Sequence, residues 1–143
     1  MPRIHGRTEW HWGIKMVLGI GIDIIEISRI KSSIEKFGDV FLKKVFTDTE
    51  IKYCKDKQNK YQHYAARFAG KEAIAKALSS IAPNGFNWKD IEIYNKTNGQ
   101  PEVKLFGELS KFLIEDKVLK LTMSHSDNYV SCFAIIYRKF EER

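Results

Sequence analysis

The 143-residue chain carries 24 Lys and Arg against 18 Asp and Glu, a formal charge of +6, and is most simply one domain with room for a single core. The basic surplus predicts an anionic partner, a description that nucleic acid, phosphorylated cofactors and acidic proteins all meet. Cys54 and Cys132 are far apart with no CxxC between them, which excludes a disulfide framework, and no apolar stretch approaches the roughly 18 to 20 residues of a membrane span; a soluble, cytoplasmic protein with no membrane partner is expected.

Residues 1–15 carry Arg3, Arg7 and Lys15 against Glu9, hold Trp10 and Trp12, and lack a regular apolar period. They also lack the apolar centre of about 7 to 15 residues that marks a signal peptide. They are read as an N-terminal extension or leader, with residues 16–143 as the single domain. Met16 directly precedes Val17 to Ile25, a nearly continuous apolar run rich in Ile, which predicts a strand buried on both faces. Asp23 interrupts it. A carboxylate there is expensive unless a cation or several donors compensate it, and Gly19 and Gly21 thin the strand beside it for close backbone approach. Both a hydrogen-bonded structural Asp and a functional one fit these facts.

Ser28 is placed to cap a helix through Ile30, Ile34 and Phe37 that stops at Gly38, with Arg29, Lys31 and Lys36 on its exposed face. Phe41 to Phe46 reads as a short helix or turn. Thr47-Asp48-Thr49-Glu50 offers a capping box for a helix through Tyr53 and Cys54. A helix from Tyr61 to Ile81, rich in Ala, Lys and Glu, is ended by Pro83-Asn84-Gly85. Trp88 to Tyr94 and Glu102 to Phe106 form a hairpin about Asn98-Gly99, a helix follows from Leu109 to Ile114, and Val118 to Met123 pairs with Tyr129 to Tyr137 through the loop Ser124 to Asn128. This order indicates an α+β fold with helices packed on an antiparallel sheet.

Asp23 and Glu72 are the carboxylates that structure does not ask for, one in an apolar strand and one on an alanine-rich helix. Such a pair, with waters and substrate phosphates, is how Mg²⁺ is usually held, and Arg67, Lys71 and Lys76 flank Glu72 in sequence, as suits a polyphosphorylated substrate. Taken alone, Glu72 with Lys76 reads as a surface i,i+4 ion pair, and His125 between two serines as an exposed turn residue or a functional group at a sheet end.

Taken together, Gly19-Ile20-Gly21-Ile22-Asp23-Ile24-Ile25-Glu26-Ile27-Ser28-Arg29-Ile30, Phe46-Thr47 with Glu50, Arg67-Phe68-Ala69-Gly70-Lys71-Glu72-Ala73 through Lys76-Ala77, Asp90-Ile91-Glu92-Ile93, Asn98-Gly99-Gln100-Pro101 and Ser124-His125-Ser126 resemble, in order, the motifs of the holo-acyl-carrier-protein synthases. These are the small group of 4′-phosphopantetheinyl transferases. The resemblance runs from Met16 to Tyr137; Gly70 departs from it, standing where the family usually has Ala, and residues 1–15 have no counterpart. It implies a 4′-phosphopantetheinyl transferase-like fold over residues 16–143. The implied reaction moves 4′-phosphopantetheine from coenzyme A to a serine of apo acyl carrier protein, leaving adenosine 3′,5′-bisphosphate, in support of fatty acid biosynthesis. It further implies that Asp23 and Glu72 hold Mg²⁺ and that Lys76 contacts the phosphate in transfer or the leaving side. Arg67 and Lys71 would hold coenzyme A phosphates, Ser124, His125 and Ser126 would line the cofactor's site, and Arg29 would grip the acidic carrier helix. The family is commonly trimeric, with sites between subunits. Glu72 and a metal-bound water are both able to take the serine proton. Two other readings of the residues stand beside this one: a nucleic-acid-binding module with Tyr53, Tyr61 and Tyr64 among lysines, and a metal-dependent phosphohydrolase using the same carboxylates.

Overall fold

The computed structural model describes residues 16–82 and 85–139; the leader at 1–15 and the Pro83-Asn84 helix stop lie outside them. Its elements are β1 (Val17–Glu26), α1 (Ile27–Phe37), α2 (Asp39–Val45), α3 (Asp48–Cys54), α4 (Lys60–Leu78), β2 (Ile91–Asn95), β3 (Pro101–Leu105), β4 (Lys117–His125) and β5 (Tyr129–Arg138). The fold is α+β, with an antiparallel three-stranded sheet in the order β1-β5-β4 and a separate β2-β3 hairpin. No helix among the described residues is long and apolar enough to cross a membrane.

Helix α4 is the centre of the molecule because its small residues admit other backbones. A Cβ placed on Gly19 or Gly21 would collide with the carbonyl oxygens of Ala77 and Ala73, so β1 lies directly on the helix and runs antiparallel to it. Inward-facing Val130, Cys132, Ala134 and Ile136 of β5 are all buried, and Cys132 Sγ donates to Ala66 O at 3.4 Å. Burial pushes the Cys132 thiol up to about 12, with the nearby Asp23 charge adding to the rise; burial likewise lifts Cys54 to about 11. Both are free and serve as packing. On its other side α4 carries Gly70, where an added Cβ would meet Ile93 Cδ1 at 2.5 Å. Gly70 therefore admits the β2-β3 hairpin, and its helix-propensity cost of about 1 kcal/mol accompanies tight packing rather than a loosened helix.

The expectation that β1 is buried on both faces is corrected. Gly21 and Ile25 face the helix, whereas Ile20, Ile22 and Ile24 are 62%, 63% and 66% exposed. Opposite them on β5, Ile135 pairs with Ile20 and Phe133 with Ile22. Helices cover only one face of this sheet, so the run is apolar throughout because its outer face is apolar too.

Local signals hold with adjustments: the strand expected from Trp88 starts at Ile91 after a 3-10 turn at Trp88–Asp90, and α4 ends at Leu78 rather than Ile81. Helix α1 begins at Ile27 with Glu26 at its N-cap and no side-chain cap; its first amide donates instead to Asn128 O at 2.9 Å, so the β4-β5 turn takes the capping role expected of Ser28. Gly38 ends α1 at φ +53°, as its freedom at positive φ predicts. Residues Gly107–Phe112 form a 3-10 turn where a helix was expected, and Ser124 and His125 belong to β4 rather than to the loop.

Candidate active site

Two polar clusters form, at opposite edges of the sheet. On the β1 side, Asp23 and Glu72 open into one cavity of about 340 Å³ whose wall also holds Arg29, Ser33, Phe41 and Phe68. The packing of Gly21 on Ala73 aligns the strand so that Asp23 follows at the same face, one turn of α4 from Ala77 to Ala73 matching two residues of β1. Lys76 reaches Asp23 from the edge of β1, with Nζ at 3.3 Å from Asp23 Oδ1 and donating to Ile22 O at 2.8 Å. Its side chain also borders a hollow over Ile20, Ile22 and Phe133. Burial raises the Glu72 carboxyl above its ordinary range, the Asp23 charge raises it further, and Lys76 opposes both. Two carboxylates that repel each other across a cavity are a donor set a divalent cation relieves. Among the described residues no third Asp, Glu, His or Cys joins them.

On the β4 side, Arg67, Ser124 and His125 line a second cavity of about 330 Å³ with Tyr53, His63 and Asn95. Arg67 is 3% exposed, donates through Nη2 to Asn95 Oδ1 at 2.8 Å and lies 4.2 Å above the Tyr53 ring. Its buried Nε has no acceptor. A fixed guanidinium beside imidazoles and a hydroxyl suits a phosphate group.

Two residues expected at the cofactor's site are placed elsewhere. Lys71 is fully enclosed: Nζ sits 2.6 Å from Glu50 Oε1 and donates to Val45 O and Trp88 O at 2.8 and 2.9 Å. All three of its protons are occupied, so it has none for a coenzyme A phosphate. Ser126 also stands outside both cavities, its hydroxyl accepting the Tyr129 amide at 3.2 Å to close the β4-β5 turn.

In the sequence Glu50 stood out as half of a capping box and as part of a family motif, with no partner from the hairpin. The box forms, with Glu50 Oε1 accepting from Thr47 N at 2.9 Å and Thr47 Oγ1 accepting from Glu50 N at 3.3 Å. Glu50 Oε2 additionally accepts from Ile93 N at 2.9 Å, which ties α3 to the hairpin. His63 was also missed, although its i,i+4 spacing from Arg67 puts both on one face of α4. The nucleic-acid alternative loses its aromatic platform: Tyr64 is core at 2% exposed, Tyr53 is covered by Arg67 and Lys57, and Tyr61 sits under Lys31 and Lys60.

Carboxylates at one sheet edge and fixed cations at the other define a small α+β protein suited to a ligand with several phosphate charges. Residues 19–134 match the family model of the 4′-phosphopantetheinyl transferase superfamily. The chain is 43% identical over 120 residues to the holo-[acyl-carrier-protein] synthase of Protochlamydia amoebophila, covering 84% of this chain and 98% of that one. The crystal structure of the Neisseria meningitidis holo-[acyl-carrier-protein] synthase superposes with a TM-score of 0.75 at 30% identity, covering 86% of this chain and all of that one. The Helicobacter pylori synthase, solved in complex with coenzyme A, gives a TM-score of 0.69 at 31% identity over 82% of this chain and 98% of its own. The chain belongs to the 4′-phosphopantetheinyl transferase superfamily.

Proposed function

We propose that the chain is a holo-acyl-carrier-protein synthase that moves 4′-phosphopantetheine from coenzyme A to a serine of apo acyl carrier protein, in support of fatty acid biosynthesis in the cytoplasm. The observation that carries this reading is the opening of Asp23 and Glu72 into one cavity beside Arg29. Residues 16–143 constitute the transferase domain and residues 1–15 an extension to it.

In the reaction the serine Oγ forms a bond to the phosphorus that bears pantetheine, and the bond from that phosphorus to the bridging diphosphate oxygen breaks. The electron pair leaves with adenosine 3′,5′-bisphosphate, and the serine proton is taken up by a base. Asp23 and Glu72 are the residues that would hold Mg²⁺, and the bound ion would offset the charge of the diphosphate. Glu72 or a metal-bound water would take the serine proton. Lys76, held near Asp23 by the Ile22 carbonyl, supplies positive charge to the phosphoryl group as it moves. Arg67, with Ser124 and His125, holds a phosphate of the adenosine half. Arg29, exposed on α1 at the cavity wall, meets the acidic carrier, and Lys31 and Lys36 add to the field that steers it there.

The two clusters lie on the edge strands β1 and β4 of one sheet, and the outer face between them presents Ile20, Ile22, Ile24 and Phe133 to solvent. Copies of the chain packed through this face would set one subunit's carboxylates near another's Arg67 cluster. A homotrimer with shared sites is the assembly this supports.

The test incubates the protein with coenzyme A, Mg²⁺ and an apo carrier protein and follows intact masses. Gain by the carrier of one phosphopantetheine, with release of adenosine 3′,5′-bisphosphate, is expected. Consumption of coenzyme A with an unmodified carrier would instead indicate hydrolysis, and no consumption would contradict both.

A further inference from the structure

The β4-side cavity holds an imidazole that its expected residues do not include. His63 lines it one helical turn before Arg67, its ring edge-on to Tyr53 with centroids 5.7 Å apart. Tyr53 is a hub: Arg67 lies 4.2 Å over its ring and Lys57 Nζ lies 4.4 Å from its centroid. His125 approaches from β4 across the same cavity. No carboxylate is among the described residues lining it. Arg67 is steadied by Asn95, which itself donates to Gly99 O at 3.0 Å, so the cationic wall is fixed before any ligand arrives.

We infer that His63 is a specificity-determining residue of this cavity: it takes up a proton as a phosphate monoester dianion seats beside Arg67, so that binding tightens as pH falls toward neutrality. The inference rests on the assignment of this cavity to a phosphate of the adenosine half. In the free protein, burial lowers the His63 pKa, and the charges of Arg67, Lys57 and His125 lower it further. The imidazole is therefore neutral when the cavity is empty. A dianion cancels the repulsion from those groups and adds an attraction of its own, raising the His63 pKa in the complex. Linkage then requires net proton uptake on binding, and affinity is lost as pH rises through the raised, ligand-bound pKa. A dianion raises the His63 pKa more than a monoanionic or uncharged ligand does, so the proton uptake favours the dianion.

Calorimetric titration of adenosine 3′,5′-bisphosphate and of adenosine 5′-monophosphate, in two buffers of different ionisation enthalpy, reads affinity and proton uptake together. It is run at about pH 6.5 and about pH 8, above most of the second ionisation of a phosphate monoester near about pH 6. The wild type should take up protons with the bisphosphate and lose about three- to tenfold in affinity across that interval, while His63→Phe, which keeps a ring against Tyr53, and His63→Gln should take up fewer protons and show a flatter profile. Histidine ring-proton NMR should place the His63 pKa higher in the complex than in the free protein. Tighter binding of the bisphosphate than of the monophosphate, with the same proton uptake in wild type and both variants, would overturn the role of His63 and leave the phosphate assignment standing. Equal binding of the two nucleotides would overturn both.

Discussion

Lys71 and Glu72 leave α4 about 100° apart, and that angle separates a side chain sealed in the core from one opening on the β1 cavity. Their sequence put both in one neighbourhood at the site, Glu72 on the metal and Lys71 on a coenzyme A phosphate. That Asp23 and Glu72 share one cavity was legible because each breaks the pattern of its own element, a signal that survives without a fold. The role of Lys71 was not, because its partners Glu50, Val45 and Trp88 come from three other segments and only tertiary packing encloses them. Removing one member of such a buried pair leaves the other charge uncompensated. Lys71→Met should therefore lower stability by about 3 to 5 kcal/mol in denaturant unfolding, with part of the loss recovered when Glu50→Gln is added. A loss below about 1 kcal/mol would mean that the pair behaves as a surface contact. His63 escaped notice for the opposite reason: one imidazole on a helix carries no signal until Tyr53 and β4 are folded against it.

At the scale of elements, caps and turns were the readable features. The Thr47-Glu50 capping box, the Gly38 stop and the Asn98-Gly99 hairpin all depend on a few adjacent residues and form where they are expected. The faces of β1 were not readable in this way, since a strand with apolar residues at every position gives no period to assign one side to the core. What does specify its inner face is the pair Gly19 and Gly21, whose missing side chains let the strand rest on the carbonyls of Ala77 and Ala73. Gly21→Ala puts a methyl into backbone that has no side chain to move aside, so β1 must lift from α4 and carry Asp23 with it. The variant should melt well below the wild type and lose transfer activity together with its affinity for the metal. An unchanged melting temperature would show that the strand does not depend on this contact.

For the whole molecule, the sheet has helices on one face and bare isoleucines on the other, with the two polar clusters at its opposite edges. The sequence did not carry this, and read β1 as buried on both faces, because which residues remain uncovered depends on the packing of every helix. Ile22→Lys places a charge at the centre of the exposed stripe, away from the α4 packing. Sedimentation should show its assembly shifted to single chains, with transfer lost although the β1 cavity is intact within each chain; an unchanged oligomer would remove this face from the interface. Arg67 of one copy and Asp23 of another would then have to be joined by some other surface. Beneath the question of assembly lies the carboxylate pair itself. Its most direct measurement is calorimetric titration of Mg²⁺ into the protein with coenzyme A bound, for the wild type, Asp23→Asn and Glu72→Gln. A saturable site in the wild type that is lost in both variants is the predicted result, and undiminished affinity in either variant would contradict the shared ion.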